Sequence, residues 1–370
     1  MDEITRCIED TSDILDKTAG VADQDGTVIA CTDSARVGSV DKLAAEIFVS
    51  EDDFAVTGKT SYRKFGSANN SPEYVCFIEG TDHSAQVNLD LLVRWLQSVI
   101  EDGDKYQDRE TLLKNILLEN ELPGDIPLKA REYSIPYAAM RVVYLIKVRE
   151  DSYLDSIEIL KSMFPNRKLD FVLAMDEKNI ALVKEFNREA DEEILEVANS
   201  IVDTLDSESM SRVKVGIGLQ TETLKDCSKS YREASLALTI GGIFSPEKQI
   251  VRYDKLGLGR LIYQLPPTLC QMFLDEIFIE GSYEALDHET LNTIDMFFDN
   301  DLNGSETSRK LFVHRNTLVY RLDKVFKITG LDVRSFDDAV QFKLAAMVRK
   351  YLDYLKKESE SNSSGKWWRN

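Results

Sequence analysis

The sequence predicts a multidomain α+β protein: a small N-terminal α+β domain, then a split βαβ domain, then an all-helical C-terminal domain. Three observations predict it. The chain has 370 residues, more than one hydrophobic core ordinarily supports. Strand-like and helix-like runs alternate up to residue 266, whereas every apolar spacing from Pro267 onward is helical. Charge is also unevenly spread. The formal net charge is −20, yet Asn303 to Gly330 gathers six basic residues (Arg309, Lys310, Arg315, Arg321, Lys324, Lys327) against two acids, Glu306 and Asp323.

Along the first domain (1–88), DEITRCIEDTSDILDKTA reads as a helix and GVADQDGTVIACTD as two extended stretches. Asp25-Gly26 between them is a hairpin signal, because glycine reaches the positive φ of a tight turn. SARVGSVDKLAAEIF returns to helical spacing, and TSYRKF and EYVCFIEG read as strands flanking the turn GSANNSPE. Residues 89–122 read as a long coupling helix, ended by Pro123-Gly124. Along it Leu92, Leu96, Val99, Gly103, Tyr106, Glu110, Leu113 and Leu117 alternate steps of four and three. That spacing fits a seam between two subunits and equally an amphipathic helix packed on its own domain.

The second domain (136–250) opens on MRVVYLIKV, a continuous apolar run fit for a central strand. SYLDSIEILKSMF reads as helix, LDFVLAMDEKNIALVKEF as two strands joined at Glu177-Lys178-Asn179, ADEEILEVANSIVDTLD as helix and RVKVGIGLQ as strand. The helix LKDCSKSYREASLALTIGG follows, and YDKLGLGRLIYQLP closes the segment. The order β-α-β-β-α-β predicts a split βαβ sheet with its helices on one face. The third domain (267–356) is all helix, and residues 357–370 read as a disordered tail in which Trp367 and Trp368 find no core.

Composition narrows the chemistry. No run approaches 18 apolar residues and the N-terminus carries no apolar segment, so neither a membrane span nor a secretory signal is expected, which points to the cytoplasm. The cysteines stand apart at 7, 31, 76, 227 and 270, and none of the three histidines, His83, His288 and His314, has a second histidine or a cysteine within four residues. Neither a disulfide framework nor a metal site is expected, and no cofactor or catalytic residue stands out.

The basic stretch has internal order. Asn303 with Glu306 three residues on has capping-box spacing and opens a helix through about Leu311. Phe312 and Val313 make a turn. His314, Arg315, Asn316 and Thr317 then begin a second helix toward Thr329, with Gly330 as its terminator. Leu318, Leu322 and Val325 fall on one stripe able to pack on Leu311 and Val313, while Arg315, Tyr320, Arg321, Lys324 and Lys327 take the other face. This is the pattern of a helix-turn-helix whose second helix enters the major groove of duplex DNA. Its bland counterpart is a solvated charged face on a helical domain.

The stretch NGSETSRKLFVHRNTLVYRLDKVFKITGLD closely resembles the C-terminal helix-turn-helix of PucR and carbohydrate-diacid-regulator (CdaR-type) bacterial transcription factors, and LFVHRNTLVYRL is similar to the DNA-binding element of Fis. The resemblance places His314, Arg315 and Thr317 at base and phosphate contacts beside Asn316, with Arg315 as the base reader and Tyr320, Arg321 and Lys324 on phosphates. Ser308 stands where a small alanine is usual. The middle domain resembles the family's GGDEF-like domain, but its hairpin reads AMDEKNIAL without the nucleotide-gripping glycine pair, and Gly216 and Gly218 form a lone G-x-G. GVADQDGTVIACTDSARVGSV resembles the PAS-like sugar-diacid recognition domain, which implies a small-molecule effector, a sugar diacid or other small acid. Arg36 and Gly38 match its loop, and Arg36 and Lys42 are the candidate carboxylate partners, although Arg36 can equally cap a surface loop. The resemblance implies a ligand-responsive DNA-binding regulator acting as a homodimer or higher oligomer. Its rivals are a nucleotide-handling enzyme using Asp176 and Glu177 of the middle domain, and a protein-interaction module that uses the C-terminal helices without DNA.

Overall fold

A computed structural model describes residues 3–12, 14–66, 72–166, 168–186, 191–208, 212–279 and 281–364. The chain divides into two units, Met1–Asn115 with Pro127–Ile135, and Ile116–Ile126 with Pro136–Asn370.

In the first unit, α1 (Glu3–Thr11) stops eight residues before the expected Ala19. Thr11 Oγ1 donates to the Ile8 carbonyl at 2.6 Å, a local bond that competes with helix continuation. β1 (Ala19–Ala22) and β2 (Val28–Cys31) pair antiparallel across Gly26, whose φ is +79°. The expected helix from Ser34 splits in two. Ser34–Arg36 form one 3-10 turn, and α2 (Lys42–Val49) begins only at Asp41, whose carboxylate accepts from the Leu43 and Ala44 N–H groups.

β3 (Phe54–Thr57) was not legible from composition; it forms a hairpin with β4 (Thr60–Phe65), and β5 (Tyr74–Glu79) completes a sheet ordered β2-β1-β5-β4-β3. Residues 67–71 of the expected turn lie outside the described residues. α3 (His83–Leu117) starts six residues before Leu89, because the Asp82 carboxylate accepts from Ala85 N–H at 2.7 Å and caps it.

This sheet is covered on both faces. Ile4 and Ile8 of α1 and Leu89, Leu92 and Leu96 of α3 pack on Val21 and Ile78. Ala44 and Ile47 of α2 pack on Val28 and Phe77 from the other side. The first positions of the heptad therefore face their own domain, which answers that half of the question in favour of the amphipathic helix; the burial of Gly103 and the side chain of Tyr106 lie outside the described residues. α4 (Ile126–Glu132), an element the sequence reading lacked, follows the Pro123-Gly124 turn, and Arg109 Nε donates to the Tyr133 carbonyl just beyond it at 2.6 Å.

The second unit begins with β6 (Ala138–Lys147), α5 (Tyr153–Met163), β7 (Phe171–Ala174), β8 (Asn179–Phe186), α6 (Asp191–Glu208) and β9 (Lys214–Ile217), in the predicted order. β10 (Thr221–Thr223) and β11 (Ile250–Arg252) flank α7 (Cys227–Phe244) and are too short to show a period in sequence. The sheet runs β11-β9-β6-β8-β7, with β10 also on β6. β6 is central, and Val142 through Ile146 are each at most 4% exposed.

Val142, Tyr144, Ile146, Val215 and Ile217 pack against α5 and α6. Their neighbours face the other way, which corrects the expectation that all helices share one face: α7 covers the opposite side. A Cβ on Gly216 would stand 2.2 Å from the Ala234 carbonyl, and one on Gly218 2.0 Å from that of Ser230. The G-x-G is thus the place where a helix backbone touches the sheet. Ser230 Oγ seals the contact, donating to Leu219 O at 2.7 Å and accepting from Val143 N–H.

The remaining helices are α8 (Leu258–Tyr263), α9 (Pro267–Ile277), α10 (His288–Asp299), α11 (Gly304–Lys310), α12 (Arg315–Thr329) and α13 (Phe336–Ser364). They share a core around Phe342, whose ring meets Phe278 edge-on at 5.6 Å. α13 carries helix through residues 357–364, where a disordered tail was expected; residues 365–370, both tryptophans included, lie outside the described residues. Among the described residues no helix is long and apolar enough to cross a membrane.

Substituting Gly216→Ala or Gly218→Ala should cost about 1–3 kcal/mol in urea unfolding, because a backbone carbonyl must move. Gly242→Ala, at a helical position with no neighbour within 4 Å of the new carbon, should instead stabilise by roughly 0.5–1 kcal/mol.

Candidate nucleic-acid interface

The helix pair α11–α12 is built from local bonds. Asn303 Oδ1 accepts from Ser305 and Glu306 N–H, both at 3.1 Å, and starts α11. Only half of the expected capping box forms. Asn303 N–H goes to the Asn300 carbonyl, and the Glu306 carboxylate instead takes both bonds of the Arg309 guanidinium at 2.7 Å. Thr307 is fully buried, whereas Ser308 is half-buried with its hydroxyl returned to Ser305 O, so serine in place of alanine does not disturb the packing.

The chain then turns through Phe312, which has φ +56°. A non-glycine residue in that region costs of order 1–3 kcal/mol. Leu311 and Val313 on either side turn into the core, and Phe312 is left 95% exposed. His314 caps α12 by accepting from Asn316 N–H at Nδ1, and Gly330 ends it at φ +78°. Leu318, Leu322 and Val325 are buried as the stripe requires.

The first turn of α12 is open to solvent. His314, Arg315, Asn316, Thr317 and Tyr320 are all exposed, Tyr320 at 69%. Lys310, Arg315 and Lys327 make no ion pair among the described residues. Two of the expected phosphate contacts are placed differently. Arg321 is only 14% exposed, donating to Thr293 Oγ1 at 3.0 Å and to the Glu289 carboxylate. Lys324 is paired with the Asp287 carboxylate. At 100° per residue both fall on the flank that faces α10, while Asn316, Tyr320 and Lys327 take the outermost line.

Asp287 and Glu289 were missed in the sequence, since their partners lie 37 and 32 residues away and leave no local signal. The Lys324 ammonium, with the Thr290 N–H that Asp287 caps, holds the Asp287 carboxyl well below the ordinary carboxylate range.

In the first unit, Arg36, Gly38 and Lys42 fall in one segment leading into α2, but the charge of Arg36 is already met. Its guanidinium lies over the Phe77 ring at 4.8 Å, 3.3 Å from a Glu79 oxygen and 3.7 Å from Asp41. Tyr62 OH donates to the same Asp41, and burial, with that carboxylate beside it, pushes the phenol up to about 12. Gly38 has φ +81° and open space around its Cα, and Lys42 is exposed. In the second unit both Asp176 oxygens are used by its own turn, accepting from Lys178 N–H, Asn179 N–H and the Asn179 amide. Among the described residues no group of three or more His, Cys, Asp or Glu is placed to hold a metal.

Comparison with known families follows this geometry. Residues 290–348 match the PucR C-terminal helix-turn-helix domain, 119–240 the GGDEF-like domain and 4–69 the sugar diacid recognition domain. In these three segments the chain is similar to PucR- and CdaR-type proteins.

Among the chain's relatives, the carbohydrate diacid regulator of Escherichia coli (strain K12) is 25% identical over 242 residues, 62% of each chain. The purine catabolism regulatory protein of Bacillus subtilis (strain 168) is 26% identical over 141 residues, 38% of this chain and 27% of that one. The proline-responsive transcriptional activator PutR of the same organism is 27% identical over 144 residues, 37% and 34%. The match spans less than two thirds of the length of each of these three proteins.

The depressed Asp287 carboxyl contributes stability that is fully present at neutral pH and is lost as pH falls below the ordinary value of 3.8. Thermal melting of the Asp287→Asn variant should therefore differ from the unaltered protein most at pH 7, the gap closing as pH falls through that range.

Proposed function

We propose that this PucR/CdaR-type chain is a ligand-responsive transcriptional regulator that reads duplex DNA through the major groove with the first turn of α12. The open, unpaired Arg315 at the start of a helix locked behind by Leu318, Leu322 and Val325 carries this reading. An arginine so placed can bond guanine O6 and N7 together, a contact worth about 1–3 kcal/mol of discrimination. Asn316, Thr317 and His314 stand beside it for neighbouring base edges and phosphates, and Tyr320 continues the line of Asn316 one turn on.

The phosphate role divides in a way that composition alone would not suggest. Lys310 and Lys327 are free to meet the backbone. Lys324 can exchange Asp287 for a phosphate, its side chain being 32% exposed, while Arg321 is better read as a positioning residue that fixes α12 to α10. One such helix gives little affinity alone, so the protein acts as a homodimer or higher oligomer that places two copies on half-sites one helical turn apart, gaining from effective concentration.

The first unit is read as the effector domain, and the name of the E. coli relative favours a small diacid. A carboxylate ligand would compete with Glu79 and Asp41 for Arg36, with Lys42 as a second cation and Gly38 allowing close approach. The middle domain is read as non-catalytic, because Asp176 is spent on its turn and Gly216 and Gly218 on helix packing. A cytoplasmic site of action fits that role.

Gel-shift titration with duplex DNA from the gene's own upstream region tests this reading. Arg315→Ala should weaken binding roughly 5- to 150-fold, Lys324→Ala by about 2- to 5-fold with a shallower salt dependence. No binding at low salt, or affinity untouched by Arg315→Ala, would contradict it.

A further inference from the structure

Phe312 is the most exposed large apolar side chain among the described residues, at 95%. Its backbone is nonetheless fixed: Phe312 N–H donates to Arg309 O at 3.2 Å and Val313 N–H to Ser308 O at 3.0 Å, with Leu311 and Val313 packed in the core on either side. The ring is thus held out from a rigid turn. The turn itself needs a left-handed residue, and glycine or asparagine would supply one at lower cost. A phenylalanine there combines a strained backbone with 95% exposure and gains little packing among the described residues. The ring is thereby available to a partner.

Charge identifies that partner. From Arg309 to Leu322 there is no acidic residue, in a chain of net charge −20, and Arg309, Lys310, His314 and Arg315 flank the ring in sequence. The patch adjoins Arg315, proposed above to read a base, so the polyanion that Arg315 meets is the partner the ring is placed to meet as well. On the base edges of the major groove the apolar feature is the thymine 5-methyl group, which phenylalanine can contact.

We propose that Phe312 is a specificity-determining residue of the DNA interface, packing its ring on a thymine methyl beside the base pair that Arg315 reads. The proposal rests on the DNA-reading function above and adds to it a preference for a T·A pair at one position. Phe312 stands two residues before the α12 cap His314, so one strained residue serves both to reverse the chain and to present an apolar probe beside the start of α12.

The test uses the full-length protein and 30-base-pair duplexes enriched by it from a random pool, each thymine then replaced singly by deoxyuridine, which lacks only the methyl. At one position next to a required guanine, that replacement should weaken the native protein about 3- to 10-fold and leave Phe312→Ala unaffected. Phe312→Ala and Phe312→Asn should each bind the thymine duplex about 5- to 20-fold more weakly. Phe312→Asn should melt no lower than the native protein, because asparagine tolerates the left-handed turn, which separates lost contact from lost fold. The proposal is overturned if both variants bind within twofold of native while Arg315→Ala still weakens binding as above. If Arg315→Ala also changes nothing, the DNA reading itself has failed and this inference falls with it.

Discussion

Burial of the apolar stripe on α12 is the constraint on which the candidate interface depends. Leu318, Leu322 and Val325 are buried against the core that Phe342 and Phe278 organise. Each such side chain contributes about 1.5–3 kcal/mol on leaving water. Because a helix has one rotation that buries this stripe, the same burial decides which residues face outward: Asn316, Tyr320 and Lys327 on the outer line, with Arg315 and Thr317 at the open first turn. Hydrophobic packing therefore sets the polar surface, and the caps at His314 and Gly330 set where it begins and ends.

The ion pairs between α10 and α12 refine that arrangement. Arg321 and Lys324 cover one flank of the helix with carboxylates of Glu289 and Asp287, so the positive charge of the stretch is partly neutralised within the fold and what remains open is concentrated at the turn. These pairs are exposed on their acidic side and are weak as sources of stability. Their effect is geometric. They hold the two long basic side chains against the acidic residues at the start of α10.

What was legible in the sequence follows the range of the interactions. Asn303, Asp25-Gly26 and Gly330 act on their own neighbours, and each marks its turn or cap where the sequence places it. The central strand of the middle domain was equally plain, since a run buried on both faces has no polar alternation. Long-range choices were not legible. The side of the sheet taken by α7 was signalled only by Gly216 and Gly218, which a motif reading assigns to phosphates. The partners of Arg321 and Lys324 are 32 and 37 residues distant, so a basic face in sequence became a half-paired one in space. The sensor site shows the same limit: Arg36 matches a family loop, yet Glu79, 43 residues on, already holds it.

Methylation interference on bound duplex tests the central claim most directly, because dimethyl sulfate modifies guanine N7 in the major groove and adenine N3 in the minor groove. The account predicts two clusters of interfering guanines centred about 10 base pairs apart, each lost when Arg315 is replaced by alanine. Interference confined to adenine N3, or a pattern unchanged in Arg315→Ala, would contradict it.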